Sequence, residues 1–228
     1  MSKYHLKAGD NFHHGDESGS NDFGGHKTYE GAAAKAVVNQ SLEIQTLYQH
    51  AIKFAAMRHE EKKQKVKGTE LPYVVHLSNV AMEIFVAARS TCDFNLAYAV
   101  QMSLLHDTIE DTATTFEEIT EHFGEDIAVG VLALSKDDKL PKGRQISDSL
   151  ARIKKLPFEV WAVKLADRIT NLQPPPKNWS VDKISQYLED SVIILSELKD
   201  GNAYLAKRLE AKIGEYRNMN KETLIDKA

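Results

Sequence analysis

Two histidines and two aspartates stand where ionisable groups are costly: His76, the adjacent pair His106-Asp107, and Asp167 each lie on or beside an apolar run. A charge taken out of water without a partner is strongly disfavoured, so such residues invite a chemical explanation. The stretch Leu104-Leu-His-Asp-Thr-Ile-Glu-Asp111 is the most telling. Read as one helix, it puts Asp107 three residues from Glu110 and four from Asp111, so three carboxylates share a face. A cation beside Asp107 would relieve their repulsion; the plain alternative is a helix end with ordinary acidic surface residues. Val163-Lys-Leu-Ala-Asp-Arg-Ile-Thr-Asn-Leu172 places Asp167 inside an apolar helix, between Lys164 and Arg168. A simple Asp167–Arg168 pair does not account for it, because adjacent helical residues do not face each other. Two imidazoles and two carboxylates form a mixed nitrogen and oxygen ligand set, suited by hardness to Mn²⁺, then Fe²⁺, then Zn²⁺. Four protein ligands leave positions on an octahedral ion for water and substrate, and such an ion acidifies water and polarises a phosphoryl oxygen.

The elements that must position these residues read as helices. Leu42 to Met57 is amphipathic at helical period, and His76 to Ala88, Phe94 to Glu110, Phe158 to Leu172, Val181 to Leu198 and Ala203 to Asn218 follow. Asp93 is a candidate N-cap for the third of these. Thr115-Phe-Glu-Glu118 has capping-box form and opens a helix that stops near Gly124. After an apolar stretch from Ile127 to Leu134, a polar loop runs from Ser135 to Gly143. Pro174-Pro-Pro176 cannot continue the helix before it. With no strand alternation and no internal repeat, the fold class is all-α, a helical bundle in one domain over residues 39–228. Residues 1–38 are rich in Gly, Ser, Asn, Asp and His and show no apolar period, so they are expected to form a flexible N-terminal arm. His5, His13, His14 and His26 in that arm have no spacing that fixes a coordination geometry.

Composition narrows the partners. A net charge of −4 and a pI near 6.1 argue against a nucleic-acid coat, which needs a basic face, but not against a small anion in a local basic pocket. One cysteine, Cys92, permits no intrachain disulfide and fits a reducing compartment. No apolar run approaches the roughly 20 residues of a membrane span, and Met1 to Lys7 has no secretory core. The expected location is cytoplasmic, with no membrane partner.

The series His76, His106-Asp107, Asp167 resembles the HD phosphohydrolase pattern. More narrowly, Gly68-Thr-Glu-Leu-Pro-Tyr-Val-Val-His76, Leu104 to Thr112 and Val163 to Asn171 resemble the hydrolase domain of the long RelA/SpoT enzymes and the stand-alone, Mesh1-like small alarmone hydrolases. Three ordered motifs carry the likeness, over about Ser41 to Leu198. The resemblance implies an HD-type helical bundle that hydrolyses the 3′-pyrophosphate of (p)ppGpp to GDP or GTP and pyrophosphate, with Mn²⁺. By the same resemblance His76, His106, Asp107 and Asp167 hold the metal, and Glu110 and Asp111 orient and deprotonate the attacking water. Asn171 contacts the nucleoside, while Lys183 and Tyr187 line the nucleotide pocket. Lys65, in the cluster Lys62, Lys63, Lys65 and Lys67, falls near an arginine that the family places beside the base, and Arg58 is a substitute for it. The length leaves no room for a synthetase domain.

The chain departs from the pattern in three places. Gly68 to Pro72 is two residues longer, Leu77 replaces a proline, and Gln173-Pro-Pro-Pro-Lys177 replaces the usual segment after Asn171. These differences bear on substrate identity, so another nucleotide (an adenosine alarmone, a 5′-nucleotide or NADPH) stands as the alternative, and a non-catalytic nucleotide sensor behind it. His50 and His59 read as structural or surface residues, His122 as a helix-end residue, and Trp161 and Trp179 as packing. The oligomeric state is left open.

Overall fold

The computed structural model describes residues 27–225. The chain divides into two units, residues 1–39 and 40–228, and the second carries the candidate site. Of the expected arm, residues 1–26 lie outside the described residues. From Lys27 the chain is already helical, and α1 (Lys27–Glu61) starts well before Ser41. The run Ala32-Ala-Ala-Lys-Ala36 gives the reason: alanine supplies helix propensity without any apolar period to betray it.

The chain continues as α2 (Val74–Ala88), α3 (Leu96–Leu105), α4 (Thr108–Asp111), α5 (Phe116–Phe123) and α6 (Glu125–Leu134). Then come α7 (Lys142–Ile153), α8 (Phe158–Asn171), α9 (Val181–Leu198), a 3₁₀ turn at Lys199–Gly201, α10 (Ala203–Met219) and α11 (Lys221–Ile225). Among the described residues there is no strand, only an isolated antiparallel bridge between Lys65 and Pro72. The fold is all-α, and no described helix is long and apolar enough to cross a membrane.

Side-chain caps mark several helix starts. Asn95 accepts from the Tyr98 amide, Thr115 from Glu118, Ser180 from Lys183 and Asn202 from Leu205. Asn95, not Asp93, caps α3, and Asp93 instead takes a turn with φ of 54°. The reciprocal half of the expected capping box is missing, because the Glu118 carboxylate is paired with Arg58. α7 begins at the end of the polar loop read from Ser135 to Gly143 and continues through residues given no element from the sequence. Ile146, Leu150 and Ile153 give it a narrow apolar stripe that the surrounding Lys, Arg, Ser and Asp conceal.

α8 is the centre of the bundle and packs against α2, α3, α9 and α10. Every residue from Glu159 to Ile169 except Trp161 is buried, so this helix has no wet face. Lys164, Asp167 and Arg168 are therefore buried with the apolar residues, and their charges have to be answered from neighbouring elements.

The long helix expected from Phe94 to Glu110 is broken at His106-Asp107, where Asp107 adopts φ −100° and ψ −1°. In a continuous helix these neighbours would point about 100° apart. The break lets both side chains turn toward one point.

Packing around α8 is tight enough to forbid added volume. A Cβ on buried Gly201 would lie 2.4 Å from the Trp161 Cβ. Gly201→Ala is expected to cost about 1–3 kcal/mol through overpacking, seen as a lower urea midpoint with an unchanged m-value.

Candidate metal centre

The four candidate ligands converge. His76, in the first turn of α2, and His106, at the end of α3, meet Asp107 of the helix break and Asp167 of α8, all within 4.8 Å of one another by their ligand atoms. His106 Nε2 is 2.9 Å from Asp107 Oδ2 and 3.5 Å from Asp167 Oδ1. His76 Nε2 stands 3.6 Å from Asp107 Oδ2, 3.4 Å from Asp167 Oδ1 and 3.4 Å from His106 Nε2. Ligands about 2.1 Å from an ion sit about 3 Å apart on neighbouring vertices, so this cage fits a small divalent cation.

Outer contacts hold the ligands in that pose. His106 Nδ1 donates to the Ser103 carbonyl at 2.9 Å, which turns the Nε2 lone pair inward. His76 Nδ1 meets Thr170 Oγ1 at 3.3 Å. The Tyr73 hydroxyl donates to Asp107 Oδ2 at 2.5 Å. Lys164 Nζ pairs with Asp167 Oδ2 at 3.1 Å, and Asn171 Nδ2 donates to Asp167 Oδ1 at 2.5 Å.

The electrostatics favour positive charge at the centre. Burial alone would raise the carboxyl pKa of Asp107 and of Asp167. His106 overturns that for Asp107, and Lys164 with both imidazoles for Asp167, so both acids lie well below the ordinary range. Burial likewise opposes protonation of His106, but Asp107 and Asp167 prevail and push it up to about 10. Tyr73 is raised by burial and by Asp107, so it stays a neutral donor.

Beside the cage opens a cavity of about 610 Å³. Its lining combines acids, Asp107, Glu110, Asp111, Asp167 and Asp190, with cations, Lys67, Lys136, Lys142, Lys164, Arg168 and Lys183. Glu110 is tied on both oxygens, to Lys136 Nζ at 2.6 Å and to the Lys136 amide at 2.8 Å. Asp111 accepts from Gln64 at 2.8 Å, and burial and the Asp107 charge raise its pKa. Arg168 is 5% exposed, its guanidinium lies 4.4 Å from the Tyr187 ring centre, and its Nε and Nη1 have no hydrogen-bond partner. Lys67 is depressed by burial and then by Lys183, Lys136 and Arg168. Unsatisfied buried donors among mutually repelling cations describe a receptor for an anion.

Most of the residues singled out from the sequence meet here, with one correction. Asn171, Lys183 and Tyr187 line the cavity, but Lys65 does not: it is exposed and engaged in the bridge to Pro72. Lys67 reaches the cavity instead, with its Nζ 5.1 Å from the Trp179 ring centre and 5.8 Å from that of Tyr187. Gly68 makes the approach feasible, with φ of 76° and its Cβ position 3.2 Å from Pro176. Lys183 covers the other side of Trp179 at 4.6 Å, which makes Trp179 a pocket-edge residue. Arg58 is no substitute for the missing arginine, since it pairs with Glu61 and Glu118 over Phe54. His50 and His122 form an exposed aromatic group with Phe123, and Trp161 donates to the Leu156 carbonyl. Sequence reasoning missed Arg168, Lys136 and Tyr73 as site residues. The signal for Arg168 was present, as a cation on a helix with no polar face.

Comparison with known proteins agrees with this geometry. The family model described as HD domain matches residues 51–187. Guanosine-3′,5′-bis(diphosphate) 3′-pyrophosphohydrolase MESH1 of Danio rerio is 32% identical over 164 residues, covering 70% of this chain and 88% of the relative. Its Xenopus tropicalis counterpart is 32% identical over 164 residues, with 70% and 89% covered. A solved structure described as a metazoan ortholog of SpoT that hydrolyzes ppGpp superposes with a TM-score of 0.65 at 27% identity, over 74% of this chain and 94% of that one.

Tyr73→Phe removes one outer contact and leaves all four candidate ligands. It is expected to weaken binding of a divalent cation roughly tenfold in a calorimetric titration, with the helical circular dichroism unchanged.

Proposed function

The chain belongs to the HD-domain family, with the MESH1 pyrophosphohydrolases among its relatives, and from that premise we propose that it hydrolyses the 3′-pyrophosphate of (p)ppGpp, giving GDP or GTP and pyrophosphate. The observation that carries this reading is one cavity that adjoins the four-ligand cage and is lined by both acids and cations. A pyrophosphohydrolase needs both halves: acids to handle a nucleophilic water, and cations to hold a highly charged leaving group.

The metal site is His76, His106, Asp107 and Asp167, and the ion is Mn²⁺, with Fe²⁺ or Zn²⁺ as alternatives on the same donor set. Such an ion, when bound, polarises a phosphoryl oxygen and acidifies water. Glu110 and Asp111 then divide the work on the nucleophile. Glu110, locked onto Lys136, orients the water. Asp111, the acid whose carboxyl is raised, takes up its proton. Arg168 brings the buried donors Nε and Nη1 to the pyrophosphate, and Lys136 and Lys164 flank it. Asn171, Lys183 and Tyr187 receive the nucleoside, with Lys67 taking the place expected of Lys65. The catalytic domain is residues 39–228 with residues 1–38 as an arm, acting in the cytoplasm on a small nucleotide.

Purified protein with ppGpp and Mn²⁺ is expected to release GDP and pyrophosphate, and EDTA or Asp107→Ala is expected to abolish the release. Orthophosphate as the product, or turnover only of another nucleotide, would reject the alarmone assignment. Arg168→Met leaves the cage intact and is expected to lower kcat/KM roughly 100-fold, the scale of losing charge-assisted donors to a transition state.

A further inference from the structure

Gln64 stands between a buried imidazole and an acid of the cavity. Its Oε1 is 2.6 Å from His59 Nδ1, and its Nε2 donates to Asp111 Oδ2 at 2.8 Å. The backbone is shaped for this. Lys63 takes φ of 51° at the end of α1, and the Gln64 amide bonds back to the His59 carbonyl at 3.0 Å, so Gln64 folds over the helix end.

We propose that Gln64 and His59 are positioning residues for Asp111: the Gln64 amide clamps one carboxylate oxygen so that the other faces the cavity, and His59 locks the amide in the required orientation. The proposal rests on the reading that Asp111 serves the attacking water.

The direction of each hydrogen bond follows from charge. A flipped amide would set its carbonyl oxygen against the Asp111 carboxylate, so Nε2 must face the acid and Oε1 must face His59. His59 then has to carry its proton on Nδ1, and its Nε2, a bare acceptor, is the atom without a partner. The imidazole is 1% exposed, and burial pushes its pKa down, so it donates as a neutral group. Neutrality matters here. A lysine or arginine in place of Gln64 would hold Asp111 by an ion pair and suppress its basicity, whereas an amide orients the acid and leaves it a base. The same imidazole stacks on Tyr73 at 4.6 Å, and the Tyr73 hydroxyl bonds Asp107. One buried ring thus braces two acids of the site by separate routes.

The test compares Gln64→Met, His59→Leu and His59→Asn with the wild-type protein for ppGpp turnover, metal binding and thermal stability. Gln64→Met and His59→Leu are expected to lower kcat roughly 10- to 100-fold, the scale of a misplaced catalytic group, with KM within about twofold and metal affinity unchanged. His59→Asn, whose Nδ2 replaces the Nδ1 donor, is expected to stay within about threefold of wild type. In an Asp111→Asn background, Gln64→Met should cost nothing more, because it acts through Asp111. Independent losses in that double variant, or equal losses in His59→Asn and His59→Leu, would overturn the proposal. If wild-type protein leaves ppGpp intact, it is the substrate assignment that fails. The clamp is then read by ¹⁵N NMR of His59: a neutral Nδ1-protonated ring that shifts in Gln64→Met upholds it, and an Nε2-protonated ring rejects it.

Discussion

Asp167 sits on a helix that has no polar face, with its carboxylate 5% exposed and two imidazoles and Lys164 against it. An ionised acid in that position is tolerable only if positive charge stands close by on every side. The rest of the structure is arranged around that requirement. α2 brings His76, the end of α3 brings His106, and the break before α4 brings Asp107 and so increases the negative charge to be answered. The four residues form a cluster that could hold a divalent cation, and outer hydrogen bonds orient His106, Asp107 and Asp167 toward it.

The helices and the four candidate ligands were legible because each rests on a local rule. Apolar residues at helical period announced α2, α3, α8 and α9, and ionisable groups inside those runs stood out against them. What was hidden depends on tertiary placement. The kink at His106-Asp107 has no Gly or Pro to signal it, so the run reads as one helix although only a break lets adjacent residues converge. α7 escaped because a stripe of three apolar residues is diluted by a polar majority. That Lys67 and not Lys65 lines the cavity was hidden for a related reason: in a charged loop, which lysine reaches it is set by a bridge to Pro72 and by Gly68 lying on Pro176, contacts made across the chain. Arg168 was visible as a cation in an apolar helix, but its role required knowing that neither Nε nor Nη1 finds a partner.

The acids and the cations of the cavity differ in how they are held. The acids come from short, tightly bonded segments, with Glu110 tied to Lys136 and Asp111 to Gln64. The cations come from five separate places, α7, α8, α9, the loop before α2 and the loop before α7, and Lys67 is depressed by burial and then by Lys183, Lys136 and Arg168. Lys136 and Lys164 are answered by Glu110 and Asp167, so an anion entering the cavity would relieve the repulsion at Lys67 above all.

Lys164, Asp167, Arg168 and Asn171 all project from α8, within two turns of one helix. A helix advances 1.5 Å per residue and, packed on four neighbours, does not stretch. Under the proposed roles, the separation between ion, phosphate grip and nucleoside contact is thus graduated along a rigid ruler. A substrate one phosphate longer or shorter would then have to find its adjustment in the lysines contributed by other elements, because the scale itself cannot be reset.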